Sequence, residues 1–177
     1  MCSSDLRNRL APKIRERAVC YAIGAASVRE IDRVNIYQAT VIAMRRALGR
    51  LRVPPNHVLV DGKPFRTLEV PHTAIVDGDD VCYSIACASI LAKVTRDRVM
   101  RSLAGRYPDY RWERNVGYST LAHLQGLADH GVTPHHRRSF IPVAQLTLDL
   151  SAPVVDVAQL AALLEAGSDA DPHFAGD

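Results

Sequence analysis

At 177 residues the chain is long enough for one domain with a real core, and 47% hydrophobic with 23% charged residues is the composition of a soluble globular protein. No apolar run approaches the ~20 residues of a membrane helix, and the start, Met1-Cys2-Ser3-Ser4-Asp5-Leu6-Arg7, has neither an apolar core nor a small-residue cleavage site; a cytoplasmic protein is expected. The net charge of +3 conceals a division: residues 1–143 hold all 22 basic residues and 13 of the 19 acidic ones, a net of +9, with nineteen Arg to three Lys. That balance favours a polyanionic partner, since Arg grips phosphate bidentately, although solvated helix faces would give the same composition.

In chain order, Leu6, Leu10 and Ile14 stand at helical spacing. Ala18-Val19-Cys20-Tyr21-Ala22-Ile23-Gly24-Ala25-Ala26 reads as a buried strand closed by small residues. Ser27 is a cap for a short helical turn through Glu30, and Asn35 for a longer helix over 36–51, before Pro54-Pro55. His57-Val58-Leu59-Val60-Asp61-Gly62 is a short apolar strand that ends in aspartate. Thr73-Ala74-Ile75-Val76 repeats the pattern before Asp77-Gly78-Asp79-Asp80. A long helix is expected over 84–107, apolar in its first half and basic in its second, and another over 120–130 with Gly131 at its C-terminal end. Residues 144–177 read as an acidic tail with an amphipathic helix at 155–165 and disorder beyond 167. Alternating strands and helices give an α/β layer fold with sites at the carboxyl ends of strands.

The four cysteines contain no Cys-x-x-Cys pair, and the seven histidines have no partners at metal-finger spacing, so neither a disulfide framework nor a zinc or histidine metal site is expected. Two adjacent strands ending in aspartate would bring Asp61 and Asp79 together. Converging carboxylates select a hard cation, Mg²⁺ or Mn²⁺, which with bound phosphate suits phosphodiester hydrolysis. The competing reading makes Asp61-Gly62 and Asp77-Gly78 ordinary turn dipeptides.

Ordered motifs surround these aspartates. Ala22-Ile23-Gly24, Glu30-Ile31-Asp32-Arg33-Val34-Asn35-Ile36, Val58-Leu59-Val60-Asp61-Gly62 and Gly78-Asp79 come first. Ser84-Ile85-Ala86-Cys87-Ala88-Ser89-Ile90-Leu91-Ala92-Lys93-Val94-Thr95-Arg96-Asp97-Arg98, Gly117-Tyr118-Ser119-Thr120 and Pro134-His135-His136-Arg137-Arg138-Ser139-Phe140 follow. Each is weak alone; together, in this order, they resemble the later part of a ribonuclease HII. The resemblance implies a ribonuclease H-like mixed sheet flanked by helices, with a helical C-terminal part, over residues 1–143. It also implies an endonuclease that hydrolyses the RNA strand of RNA–DNA hybrids and cuts at ribonucleotides embedded in DNA, with Mn²⁺ or Mg²⁺, in DNA repair, as a monomer without a membrane partner.

Carried over residue by residue, the resemblance makes Asp61 and Asp79 the catalytic metal ligands, with Gly78 beside the second. The motif puts the ligand directly after the glycine, which selects Asp79 over its neighbours Asp77 and Asp80. Tyr118 aligns with a tyrosine that packs on the sugar next to the ribonucleotide junction, the physical means of telling RNA from DNA. Lys93 would meet a phosphate. Arg137 and Arg138 would face the nucleic-acid backbone or brace the C-terminal turn. Glu30, Asp32 and Asp97 read as helix-surface or capping residues.

The chain departs from the family pattern in one large respect. The family's first strand carries Asp-Glu-x-Gly-Arg-Gly, which completes the metal site, and no Gly-Arg-Gly occurs here. The expectation is therefore a fold without its N-terminal strands, from a gene start placed too late or a true truncation. Such a chain would have little or no activity and exposed apolar faces prone to aggregation; the alternative is a catalytically inactive nucleic-acid-binding remnant.

Overall fold

The computed structural model describes residues 4–140 and Val143, and the expected acidic tail with its helix at 155–165 lies outside the described residues. The packing falls into two compact units, Met1–Arg98 and Val99–Asp177. Among the described residues, no helix is long and apolar enough to cross a membrane.

The first unit opens with α1 (Ser4–Arg17), the helix read from Leu6, Leu10 and Ile14. Its one fully buried residue, Ala11, meets Leu91 and Val94, with Ile14, Ile23 and Ile90 around them. Helix α2 (Val28–Leu48) has both expected caps. Ser27 accepts the Glu30 N–H through its hydroxyl, while the Glu30 carboxylate accepts the Ser27 N–H at 2.8 Å, a reciprocal capping box. The Arg46 guanidinium, 2.6 Å away, then the Ser27 donors, hold the Glu30 carboxyl down to about 2. At Asn35 the helix is kinked, with φ 68 and ψ 168, and its side-chain oxygen accepts the Gln38 N–H at 3.0 Å. Asn35 thus restarts the helix as a cap. The helix stops at Leu48, short of the expected 51, because Gly49 closes it by donating to the Arg45 carbonyl at 2.9 Å.

Strands β1 (Val58–Asp61) and β2 (His72–Ile75) form a parallel pair in which Val58 faces His72 and Asp61 faces Ile75. Val60 of β1 packs with Val41 of α2 and with Leu68, bordered by Met44, Leu48, Phe65 and Val70. Burying each such side chain contributes about 2 kcal/mol, which fixes the sheet against the helix. After β2 come α3 (Gly78–Val81) and α4 (Tyr83–Ala104), the division between units falling within α4 after Arg98. Helix α4 ends before the expected 107, with the Arg106 and Tyr107 N–H groups both donating to Leu103.

The expected strand at 18–26 is corrected. Residues 18–27 form neither helix nor strand; Val19 is 80% exposed and Tyr21 is exposed as well. A strand exists only where its backbone finds a ladder, and here other donors take that place. The carbonyls of Ala25, Ile23 and Val19 accept from Arg46, Arg50 and Arg52 at 2.7, 3.0 and 3.5 Å. The segment also lies tight on α2: a Cβ at Gly24 would stand 1.9 Å from the Ala43 carbonyl oxygen.

The second unit is built on Trp112, which is 1% exposed, with Tyr110, Leu124, Leu127, Ala104 and Val143 around it. A 3-10 turn at Pro108–Tyr110 and the short helix α5 (Trp112–Asn115), neither visible in the sequence pattern, place Tyr110 and Trp112 there. Helix α6 (Leu121–His130) begins at its cap Thr120 and ends at Gly131, whose φ is 72, as expected.

Candidate metal and nucleic-acid site

Strand β1 ends on the exposed Asp61, and the residues after β2 turn back toward it. The Gly62 N–H donates to Ile75 at 2.9 Å, extending the ladder past Asp61. Asp77, left-handed at φ 51 and ψ 38, then turns the chain into α3. At the first residue of that helix the Gly78 N–H donates to Asp61 Oδ1 at 2.8 Å, so the Asp61 carboxylate is tied to the backbone immediately before Asp79. Gly78 is required by space: an added Cβ would lie 2.6 Å from Ile85 Cδ1, 3.3 Å from Asp61 Oδ1 and 3.4 Å from Ile75 Cβ.

Asp79 is half-buried, whereas Asp77 and Asp80 are exposed. Its Oδ2 lies 3.4 Å from Lys93 Nζ on α4, and the two side chains are 35% and 43% exposed. Of the residues named from the sequence, Asp79 and Lys93 are thus in contact, and Asp61 is bonded to the backbone of the residue before Asp79. Their chemistry suits a hard divalent cation: two carboxylates from adjoining elements, one oxygen of Asp61 already fixed, and an ammonium beside Asp79 as a single positive charge in the same place. Among the described residues, no group of three or more His, Cys, Asp or Glu is gathered at this or any other point. Asp97, read as a surface or capping residue, is instead buried on α4, 3.4 Å from Arg96. Cys20, Cys82 and Cys87 are free and half-buried.

Tyr118 belongs to the second unit. It is 60% exposed, while its backbone is held on every side. Its N–H donates to the Asn115 carbonyl at 2.8 Å; its carbonyl accepts from the Thr120 N–H at 2.8 Å and from His123 Nδ1 at 2.9 Å. The approach to it is left-handed twice over, Val116 at φ 43 and Gly117 at φ 85, and the Gly117 N–H donates to Asn115 Oδ1 at 2.8 Å. A buried β-branched residue in that conformation is strained, and it persists only because its surroundings over-determine it.

Behind this turn lies a buried polar cluster that the sequence reading missed. Trp112 Nε1 donates to His123 Nε2 at 3.2 Å, and His136 Nε2 lies 3.1 Å from the same atom. His136 Nδ1 accepts the Thr133 N–H at 2.9 Å. The partners fix both tautomers. His136 must carry its proton on Nε2 and donate it to His123 Nε2, and His123 must carry its own on Nδ1, facing the Tyr118 carbonyl. Burial lowers both pKa values; that of His136 falls to about 4, with His123 and His135 adding to the effect. The only hint in the sequence was His123 three residues past the cap Thr120. Nothing there links it to His136, thirteen residues on.

The sequence model of the family described as Ribonuclease HII matches residues 2–143. A ribonuclease HII of Thermosynechococcus vestitus is 57% identical over 136 residues, 76% of this chain and 63% of the relative. One from Gluconobacter oxydans is 57% identical over 124 residues, 70% of this chain and 60% of the relative. The chain thus spans less than two thirds of the length of either. Among solved structures, the ribonuclease H2 from Pyrococcus horikoshii OT3 superposes with a TM-score of 0.70 at 23% identity, covering 82% of this chain and 77% of that one. That likeness is one of fold, and it bears out the α/β, ribonuclease H-like reading.

Proposed function

Because the chain belongs to the ribonuclease HII family, we propose that it serves an endonuclease that hydrolyses the RNA strand of RNA–DNA hybrids and cuts at ribonucleotides embedded in DNA, by divalent-metal-assisted phosphodiester hydrolysis. The observation that supports the reading is the hydrogen bond from the Gly78 N–H to Asp61, which ties the Asp61 carboxylate to the residue immediately before Asp79. Asp61 and Asp79 would hold Mn²⁺ or Mg²⁺, and the chemistry such a cation supplies when bound is activation of water and neutralisation of the leaving oxygen.

The chain's own residues do the rest. Lys93 offers an ammonium to a phosphate while it neutralises Asp79, and the Arg-rich body grips the duplex backbone. Tyr118 would pack on the sugar at the junction between RNA and DNA. The reading includes action as a monomer in the cytoplasm, in DNA repair, on hybrid duplexes and on DNA containing ribonucleotides.

A second reading, binding without cleavage, is favoured by one observation: among the described residues the carboxylates at the site stop at two. Two ligands hold Mg²⁺ weakly and leave a two-metal site incomplete, so little or no cutting is expected of the 177-residue chain by itself. The test is cleavage of a duplex carrying one ribonucleotide in the presence of Mn²⁺, using the chain alone and the chain joined to the N-terminal region of a relative. Cutting by the joined protein that is lost in Asp61→Asn supports the enzyme. A joined protein that binds the duplex and never cuts it leaves the second reading, and cutting that survives Asp61→Asn refutes the site.

A further inference from the structure

We propose that His123 is a positioning residue for nucleic-acid recognition: it fixes the backbone from which the Tyr118 ring reaches the duplex, and His136 and Trp112 hold it in the one tautomer that does so. The inference rests on the reading that Tyr118 meets the nucleic acid. It gives a role to His123, Trp112 and His136, none of which belongs to the metal site.

The geometry is that of a support and not of a packed core alone. An exposed ring that selects among sugars must point the same way before and after the duplex arrives, because any freedom it has is lost on binding. Around Tyr118 that freedom is removed from the backbone. The Asn115 carbonyl accepts the Tyr118 N–H, the Asn115 side chain accepts the Gly117 N–H and donates to the Tyr110 carbonyl at 2.8 Å, and His123 Nδ1–H donates to the Tyr118 carbonyl. The strained φ of 43 at Val116 is held by this set.

The direction of each bond decides the assignment. His123 reaches the Tyr118 carbonyl only with a proton on Nδ1, and a neutral ring with that proton leaves Nε2 as an acceptor. Two donors meet that acceptor, the Trp112 indole and the His136 ring, and His136 is turned to donate because the Thr133 N–H occupies its other nitrogen. The order runs from the backbone at Thr133 through two imidazoles to the backbone at Tyr118, with the Trp112 and His136 N–H groups sharing the one lone pair of His123 Nε2. Protonating either ring would set donor against donor, and flipping either would put ring carbons where the nitrogens now bond.

The test uses the full chain and a fluorescent RNA–DNA hybrid duplex, with affinity read by anisotropy at a temperature where circular dichroism shows each variant folded. Tyr118→Ala is expected to weaken binding about tenfold. His123→Leu, which removes the donor, is expected to weaken it by a similar factor. His123→Asn, whose amide nitrogen lies near the place of Nδ1, is expected to recover most of that loss despite its lower stability. In a Tyr118→Ala background His123→Leu should cost less than about twofold more, since the ring it positions is gone. In the unaltered protein, nitrogen chemical shifts should report Nδ1–H on His123 and Nε2–H on His136.

Unchanged affinity in Tyr118→Ala overturns the Tyr118 reading and this proposal with it. A Tyr118 effect with His123→Leu silent, or with the two losses simply multiplying, overturns the positioning role alone, as does Nε2–H on His123.

Discussion

One oxygen of Asp61 is already occupied by the Gly78 N–H, and that bond separates charge from geometry at this position. Asp61→Asn keeps an oxygen that accepts the same bond, so its melting temperature should stay within about 2 °C of the parent while Mn²⁺ binding, followed by calorimetry, falls at least about tenfold. Gly78→Ala should do the reverse in order: it forces Ile85 away from a 2.6 Å contact, costs roughly 1–3 kcal/mol in urea unfolding, and disturbs the carboxylate only as a consequence. At His136 and His123 the pKa values are lowered, so the unfolded chain takes up protons first as the pH falls. The stability of the cluster is complete above about 6.5 and is lost as the pH drops toward about 4, by roughly 1 kcal/mol per pH unit for His136. Tryptophan fluorescence of Trp112, the single tryptophan, would follow this, and a melting temperature flat from pH 7 to pH 4.5 would refute it. Of these residues, Asp61 and Asp79 stood out in the sequence only through the ordered motifs around them, because strand-end aspartates beside glycine read equally as turns. The His123–His136 contact was not, because it depends on how two separate turns pack.

At the scale of elements, local signals carried well and non-local ones did not. Ser27, Glu30, Asn35, Thr120 and Gly131 act through backbone groups within four residues, and each stands where its chemistry places it. Ser27→Ala is therefore expected to remove about 1 kcal/mol, measured by thermal unfolding, with no change in metal binding. The segment 18–26 shows the opposite case. Its apolar composition fits a strand, but pairing is a property of the neighbour, and the neighbours here are three arginine side chains. Likewise the 3-10 turn and α5 are too short to leave a period, and only the burial of Tyr110 and Trp112 explains them.

For the whole molecule, the division of charge outweighs its total. A body carrying +9 should bind duplexes chiefly through phosphate, so affinity for a hybrid should fall at least about tenfold between roughly 50 and 200 mM salt. A flat salt profile would exclude the Arg-rich surface as the grip. The family was legible because its motifs run in order through residues 2–143. The arginines along 18–26 bear on the molecule's behaviour in concentrated solution. A chain that would grow a fibril by adding strands needs carbonyls to receive the incoming N–H groups, and those of Val19, Ile23 and Ala25 are already taken. Those guanidinium groups are therefore expected to slow templated growth. Replacing Arg50 and Arg52 by Gln should shorten the lag before light scattering rises, in the absence of any duplex.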